Sequence, residues 1–99
     1  MGLTVRLYPV TPETDAVPEE VERLISPRTR AIYLTHYFGR LQPARHAFRA
    51  LCDRHGLRLI EDCALSLLSG HPPAEGRCGD IALFCCYKFF PVIGGGILV

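Results

Sequence analysis

Leu57-Arg-Leu-Ile-Glu-Asp-Cys-Ala64 decides the fold. Alternating, mostly apolar residues run into two adjacent carboxylates, the pattern of a buried strand that delivers an acid to the rim of a sheet. In open α/β sheets ligands bind beyond the carboxyl ends of parallel strands, so Glu61 and Asp62 stand where chemistry is expected. The plainer alternative is that they cap the following turn.

The neighbours of this stretch make it the second strand of a βαβ unit. Arg30-Ala-Ile-Tyr-Leu-Thr-His36 reads as a strand apolar enough to be covered on both faces. A helix is predicted from Pro43 to His55, with Ala44, Ala47, Phe48, Leu51 and Cys52 on its inner side, Arg45, Arg49 and Asp53 outside, and Gly56 as its stop. Upstream, Thr4 to Val10 alternates like a strand closed by Pro9. Pro18, Glu19 and Glu20 then open a short helix with Val21, Leu24 and Ile25 on its apolar stripe. Downstream, Leu65 to Gly79 is a Gly- and Pro-containing excursion. Asp80-Ile-Ala-Leu-Phe-Cys-Cys86 is another strand, and Gly94-Gly-Gly96 turns the chain into a last, antiparallel one. The expected fold class is α/β, a mainly parallel sheet with flanking helices, in one domain over residues 1–99. The chain runs into its C-terminus on Ile97-Leu-Val99, which reads as a segment of a larger protein or one that needs a partner.

Composition narrows the function classes. Eleven basic and ten acidic side chains are dispersed along 99 residues, so nothing predicts a nucleic-acid or anionic-membrane partner. No apolar run is long enough for a membrane span and no signal-peptide pattern opens the chain, so a cytoplasmic protein is expected. Five cysteines, odd in number and mostly inside apolar segments, read as reduced buried thiols, and no metal site is expected from their spacing. His36 lies at a strand end, where it either approaches a ligand or serves as a satisfied structural histidine. His46, His55 and His71 read as solvent-facing or loop-borne, and Tyr37 and Phe38 as core or interface aromatics.

Several motifs coincide in order: Arg28-Thr-Arg-Ala-Ile32, His36-Tyr-Phe-Gly39, His55-Gly-Leu57, Ile60-Glu-Asp-Cys-Ala64, Gly79-Asp80, and Lys88 ahead of Gly94-Gly-Gly96. Together they resemble the DegT-type sugar-nucleotide aminotransferases, pyridoxal-phosphate enzymes of the aspartate-aminotransferase fold. The resemblance covers the middle of that family's large domain, so the chain is expected to be a partial PLP-transferase large domain, inactive by itself. It implies pyridoxal 5'-phosphate as cofactor, a nucleotide sugar and an amino donor as small-molecule substrates, and a homo-oligomer. By the same resemblance Asp62 pairs with the cofactor's pyridine nitrogen, and Lys88, the only lysine, forms the imine with its aldehyde and moves protons. Cys85 stands at the phosphate-binding serine position and His36 near the cofactor.

Three positions depart from the family pattern. Lys88 arrives two residues early after Phe84, with Phe90 in the expected slot. Cys85 replaces a serine, and Leu65 replaces the His or Gln that usually follows Glu-Asp-x-Ala. These departures keep a rival open, a non-catalytic α/β binding or interaction module on the same scaffold. A stand-alone doubly wound domain of the flavodoxin or response-regulator sort is the weaker third reading.

Overall fold

The computed structural model describes residues 2–67 and 76–99. His71, with the Gly70, Pro72 and Pro73 of the expected excursion, lies outside the described residues. In chain order the elements are helix α1 (Pro18–Glu22), strand β1 (Ala31–Thr35), a 3-10 turn (Tyr37–Gly39), helix α2 (Arg45–His55), and strands β2 (Arg58–Asp62), β3 (Ile81–Cys85) and β4 (Gly96–Leu98). The sheet has the order β1-β2-β3-β4. The first two pairings are parallel and the last is antiparallel, so the mainly parallel sheet and its closing antiparallel strand are as expected.

Helix α2 forms where its apolar period places Phe48, Leu51 and Cys52 on one stripe, and all three are buried against the sheet. Gly56 ends it in the left-handed conformation at φ 63°, and its N–H returns to the Asp53 carbonyl. A residue without Cβ adopts that geometry at no steric cost. From the sheet, Ile32, Leu34 and Leu59 meet α2, and Val21 of α1 completes the cluster. Full burial of side chains of this size stabilises by roughly 1.5–3 kcal/mol each.

The structure corrects four expectations. Residues 4–10 form no strand; the segment makes a single antiparallel bridge, Val10 to Ala16, and Leu3, Val5 and Leu7 are exposed. Its alternation finds no described strand to pair with. β1 is covered on one face only, because α2 packs on the Ile32 and Leu34 side while Tyr33 on the other stays 46% exposed. Ala47 lies on the exposed side of α2, at the edge of the apolar stripe. Of the two places expected for Phe38, core or interface, the structure removes the first: it is 81% exposed and left-handed at φ 57°.

The interior also holds polar groups, and they lock the strand ends. Gln42, 1% exposed, accepts the Ala16 N–H at Oε1 and donates from Nε2 to the carbonyls of Thr14 and Thr35. Its own N–H donates to His36 Nδ1 at 3.1 Å, so the ring proton sits on Nε2, which lies 2.8 Å from Glu61 Oε2 and donates to it. Glu61, fully buried, also accepts the N–H groups of Gly76 and Cys78 at 2.7 Å each and that of Gly79. Just beyond, Asp80 accepts from Leu59 N–H and from Arg49 and Arg58, linking α2, β2 and the entry to β3. Those bonds hold its carboxyl well below the ordinary value.

Burial by itself pushes the Glu61 carboxyl up, but the hydrogen bonds from His36, Gly76 and Gly79 outweigh it and the net shift is downward from 4.5. A depressed folded value means that Glu61's contribution is complete above pH 4.5 and is lost as pH falls through the folded value. Thermal melts between neutral and acid pH are therefore expected to show a midpoint falling on the acid side. Glu61→Gln is expected to melt lower at neutral pH, by roughly 3–5 kcal/mol of stability, and to flatten that acid slope; equal slopes in the two chains would refute the assignment. At Gly79 a Cβ would lie 2.8 Å from the Leu59 carbonyl oxygen and 3.1 Å from Glu61 Cγ. Gly79→Ala is expected to cost about 1–3 kcal/mol, read by chemical denaturation.

Candidate functional site

Alternation along β2 sends its two carboxylates to opposite faces. Glu61 shares a face with Leu34 and Ala82, its register partners, beneath α2. Asp62 shares the open face with Thr35 and Leu83, at the carboxyl end of the parallel strands. Its Oδ1 accepts the Ala64 N–H at 3.0 Å, so the turn-capping alternative is realised. Its Oδ2 accepts the Tyr33 hydroxyl at 3.0 Å. A carboxylate has about four acceptor positions, so these two bonds leave room for another donor.

Cys85 closes β3 two residues beyond Leu83, which puts it on the same face as Asp62, and it is 8% exposed. Lys88 follows in the turn after β3 and is exposed; among the described residues its amine makes no hydrogen bond or ion pair, and Asp62 is not its partner. His36 goes elsewhere. It is 2% exposed, on the Glu61 side, with both ring nitrogens engaged inside the protein. The geometry therefore brings Asp62 and Cys85 to one face, leaves Lys88 exposed in the turn after β3, and withdraws His36 as a ligand-facing group, because neither nitrogen is free to meet one. Leu65 is 40% exposed and carries no donor.

His36, Glu61 and Cys63 present donor atoms within 4.8 Å of one another. A metal there would need the Nε2 lone pair, which carries the ring's proton as long as Nδ1 accepts from Gln42. Glu61 is likewise ringed by N–H groups rather than open to a cation. A surface cleft bordered by Glu22, Ser26, Arg30, His55 and Leu57 lies at the amino ends of β1 and β2, away from Asp62.

Pyridoxal phosphate can be tested against this donor set. An ionisable carboxylate, half-exposed and fixed at a strand end, suits the pyridine nitrogen, and the one primary amine side chain of the chain lies exposed beyond the next strand. The Gly94–Gly96 run leads into antiparallel β4 and not into a helix, so it offers the phosphate no helix N-terminus. The residues fit the ring side of the cofactor.

Sequence reading missed Tyr33 and Gln42. Tyr33 looked like one more apolar strand residue, and its bond to Asp62 spans 29 positions. Gln42, in the link before α2, carries no periodic signal. Glu61's inward role had no deciding signal either, since it alternates in phase with Leu59 just as Asp62 does with Ile60.

Comparison with known proteins now adds to this geometry. The profile of the DegT/DnrJ/EryC1/StrS aminotransferase family matches residues 2–97. The chain is 40% identical over 74 residues to UDP-N-acetyl-3-dehydro-alpha-D-glucosamine 3-aminotransferase of Acidithiobacillus ferrooxidans, covering 72% of this chain and 18% of that protein. It is 47% identical over 87 residues to dTDP-3-amino-3,4,6-trideoxy-alpha-D-glucose transaminase of Streptomyces venezuelae, covering 84% and 22%. The crystal structure of DesI with its TDP-sugar product superposes with a TM-score of 0.80 at 31% identity, over 99% of this chain and 26% of that one. DesV of S. venezuelae, solved with a ketimine intermediate, gives a TM-score of 0.65 at 34% identity, over 84% and 23%. The chain thus spans about a fifth of the length of the curated relatives it matches. Aminotransferases of this family depend on pyridoxal phosphate. With the ordered motifs, the parallel sheet and the strand-end aspartate in agreement with that match, the chain belongs to the DegT/DnrJ/EryC1/StrS aminotransferase family.

Proposed function

We propose that this chain forms the centre of the large domain of a pyridoxal-phosphate aminotransferase that moves an amino group from an amino donor to a keto-sugar nucleotide. One observation carries the reading: the aspartate at the family's cofactor position stands at the carboxyl end of β2, on the open sheet face, with both carboxylate oxygens oriented by fixed donors. There Asp62 would hold the pyridine nitrogen, and its charge favours the protonated ring. Bound in this way, pyridoxal phosphate supplies an electron sink beside the reacting carbon. Lys88 is the residue available for covalent attachment and for carrying a proton, since it is the only lysine and its amine is exposed. Cys85 lines the same face as a weak donor. His36 acts at one remove, by fixing Glu61 and the strand end that bears Asp62.

A homo-oligomer is part of the proposal, supported by the sheet face and β4 left uncovered among the described residues. So is a cytoplasmic location, where the five cysteines stay reduced; no helix of the described residues is long and apolar enough to cross a membrane. A non-catalytic binding module is the second reading. It is favoured by the two-residue displacement of Lys88 and by the cysteine and leucine that replace polar positions of the family pattern.

Titration with pyridoxal phosphate, borohydride reduction and peptide mass spectrometry test the choice. The expected result is a saturable pyridoxyl adduct on Lys88, lost in Lys88→Arg and weakened at least about tenfold in Asp62→Asn, as for loss of a charge-assisted bond. Saturation and dependence on Asp62 separate it from adventitious labelling of an exposed amine. No adduct, with binding of a sugar nucleotide retained, would select the non-catalytic module.

A further inference from the structure

Tyr33 stands in the middle of β1 opposite Ile60, on the face that α2 leaves bare. Its hydroxyl reaches diagonally, two residues along the neighbouring strand, to Asp62 Oδ2 at 3.0 Å. Aromatic side chains have that reach between same-face neighbours on adjacent strands. The other oxygen is held from the opposite direction by the Ala64 amide, also at 3.0 Å. The amide bond is local, an Asx-type contact that tethers one oxygen and leaves the carboxylate free to pivot about it. A second tether from a different strand fixes its plane. Tyr33 is itself anchored, since its carbonyl accepts the Tyr8 hydroxyl at 2.7 Å.

We propose that Tyr33 is a positioning residue for Asp62: its hydroxyl and the Ala64 amide hold the carboxylate in one orientation before any pyridine nitrogen arrives. The part that concerns the cofactor rests on the function proposed above; the clamp itself does not. The titratable groups that act on the Tyr33 phenol are Asp62, at the end of β2, and Cys63, the residue after it. The phenol is pushed up to about 12, by burial first and then by the bond to Asp62 and its charge.

The experiment has two arms. In the first, tyrosine ring carbons are followed by NMR without cofactor from about pH 8 to about pH 11.5, a range bracketing ordinary tyrosine ionisation. The Tyr33 signal, assigned by its absence in Tyr33→Phe, is expected to stay protonated through that range in the native chain and to ionise at lower pH in Asp62→Asn. Identical titration in the two chains overturns the clamp, whatever the cofactor does. In the second arm, pyridoxal phosphate affinity is measured in a double-mutant cycle. Tyr33→Phe keeps the ring and is expected to weaken binding about 3- to 10-fold, the cost of ordering a released side chain. In the Asp62→Asn background the same change is expected to matter less than about twofold. Equal losses in both backgrounds, or tighter binding by Tyr33→Phe, overturn the positioning role. A native chain that binds no pyridoxal phosphate yet keeps the titration difference retains the clamp and removes the cofactor reading instead.

Discussion

A buried carboxylate with four hydrogen-bond donors is the constraint on which the rest of this structure depends. Glu61 lies at zero exposure, where an unpaired charge would cost several kcal/mol. His36 from the end of β1 and the backbone N–H groups of Gly76, Cys78 and Gly79 satisfy it together. Since three of those donors belong to the stretch leading into β3, one side chain sets the end of β1, the end of β2 and the approach to β3. Gly79 follows from the same demand, because the chain passes so close to β2 that a Cβ there meets backbone.

The period of two along a strand then divides labour between neighbours. Glu61 faces inward and is spent on structure; Asp62, one residue on, faces the open side and remains available. Rigidity passes from the first to the second through a single peptide unit. This is how a strand end holds a functional carboxylate to the tolerance that cofactor chemistry demands. Tyr33 adds a cross-strand tether of the same kind on the outer face.

The open face also explains the exposed apolar residues. Tyr33 and Leu98 lie on the face that α2 does not cover, and the chain spans about a fifth of its curated relatives. Cys85 stands on this face and Lys88 in the exposed turn that follows, both at positions where the chain departs from the family pattern. Departure and exposure coincide at Lys88, in the turn after β3, while His36, Glu61 and Gly79, which match the pattern, are joined through the Glu61 carboxylate.

Several features were legible from the residues alone. Period-3.6 spacing located α2 and Gly56 its stop, the apolar runs located β1, β2 and β3, and the glycine run announced an antiparallel return, because each signal is local and its partners lie within a turn or a pleat. The ordered motifs sufficed for the family. What only the tertiary structure decided depends on contacts distant in sequence. Alternation separates Glu61 from Asp62, but which of them is buried depends on where α2 lands. Thr4 to Val10 has a strand's pattern and no strand's partner, since pairing is a property of neighbours. Gln42, reaching residues 14, 16 and 35, and Tyr33, reaching Asp62 across 29 positions, owe their roles to hydrogen bonds that exist only once the chain has folded.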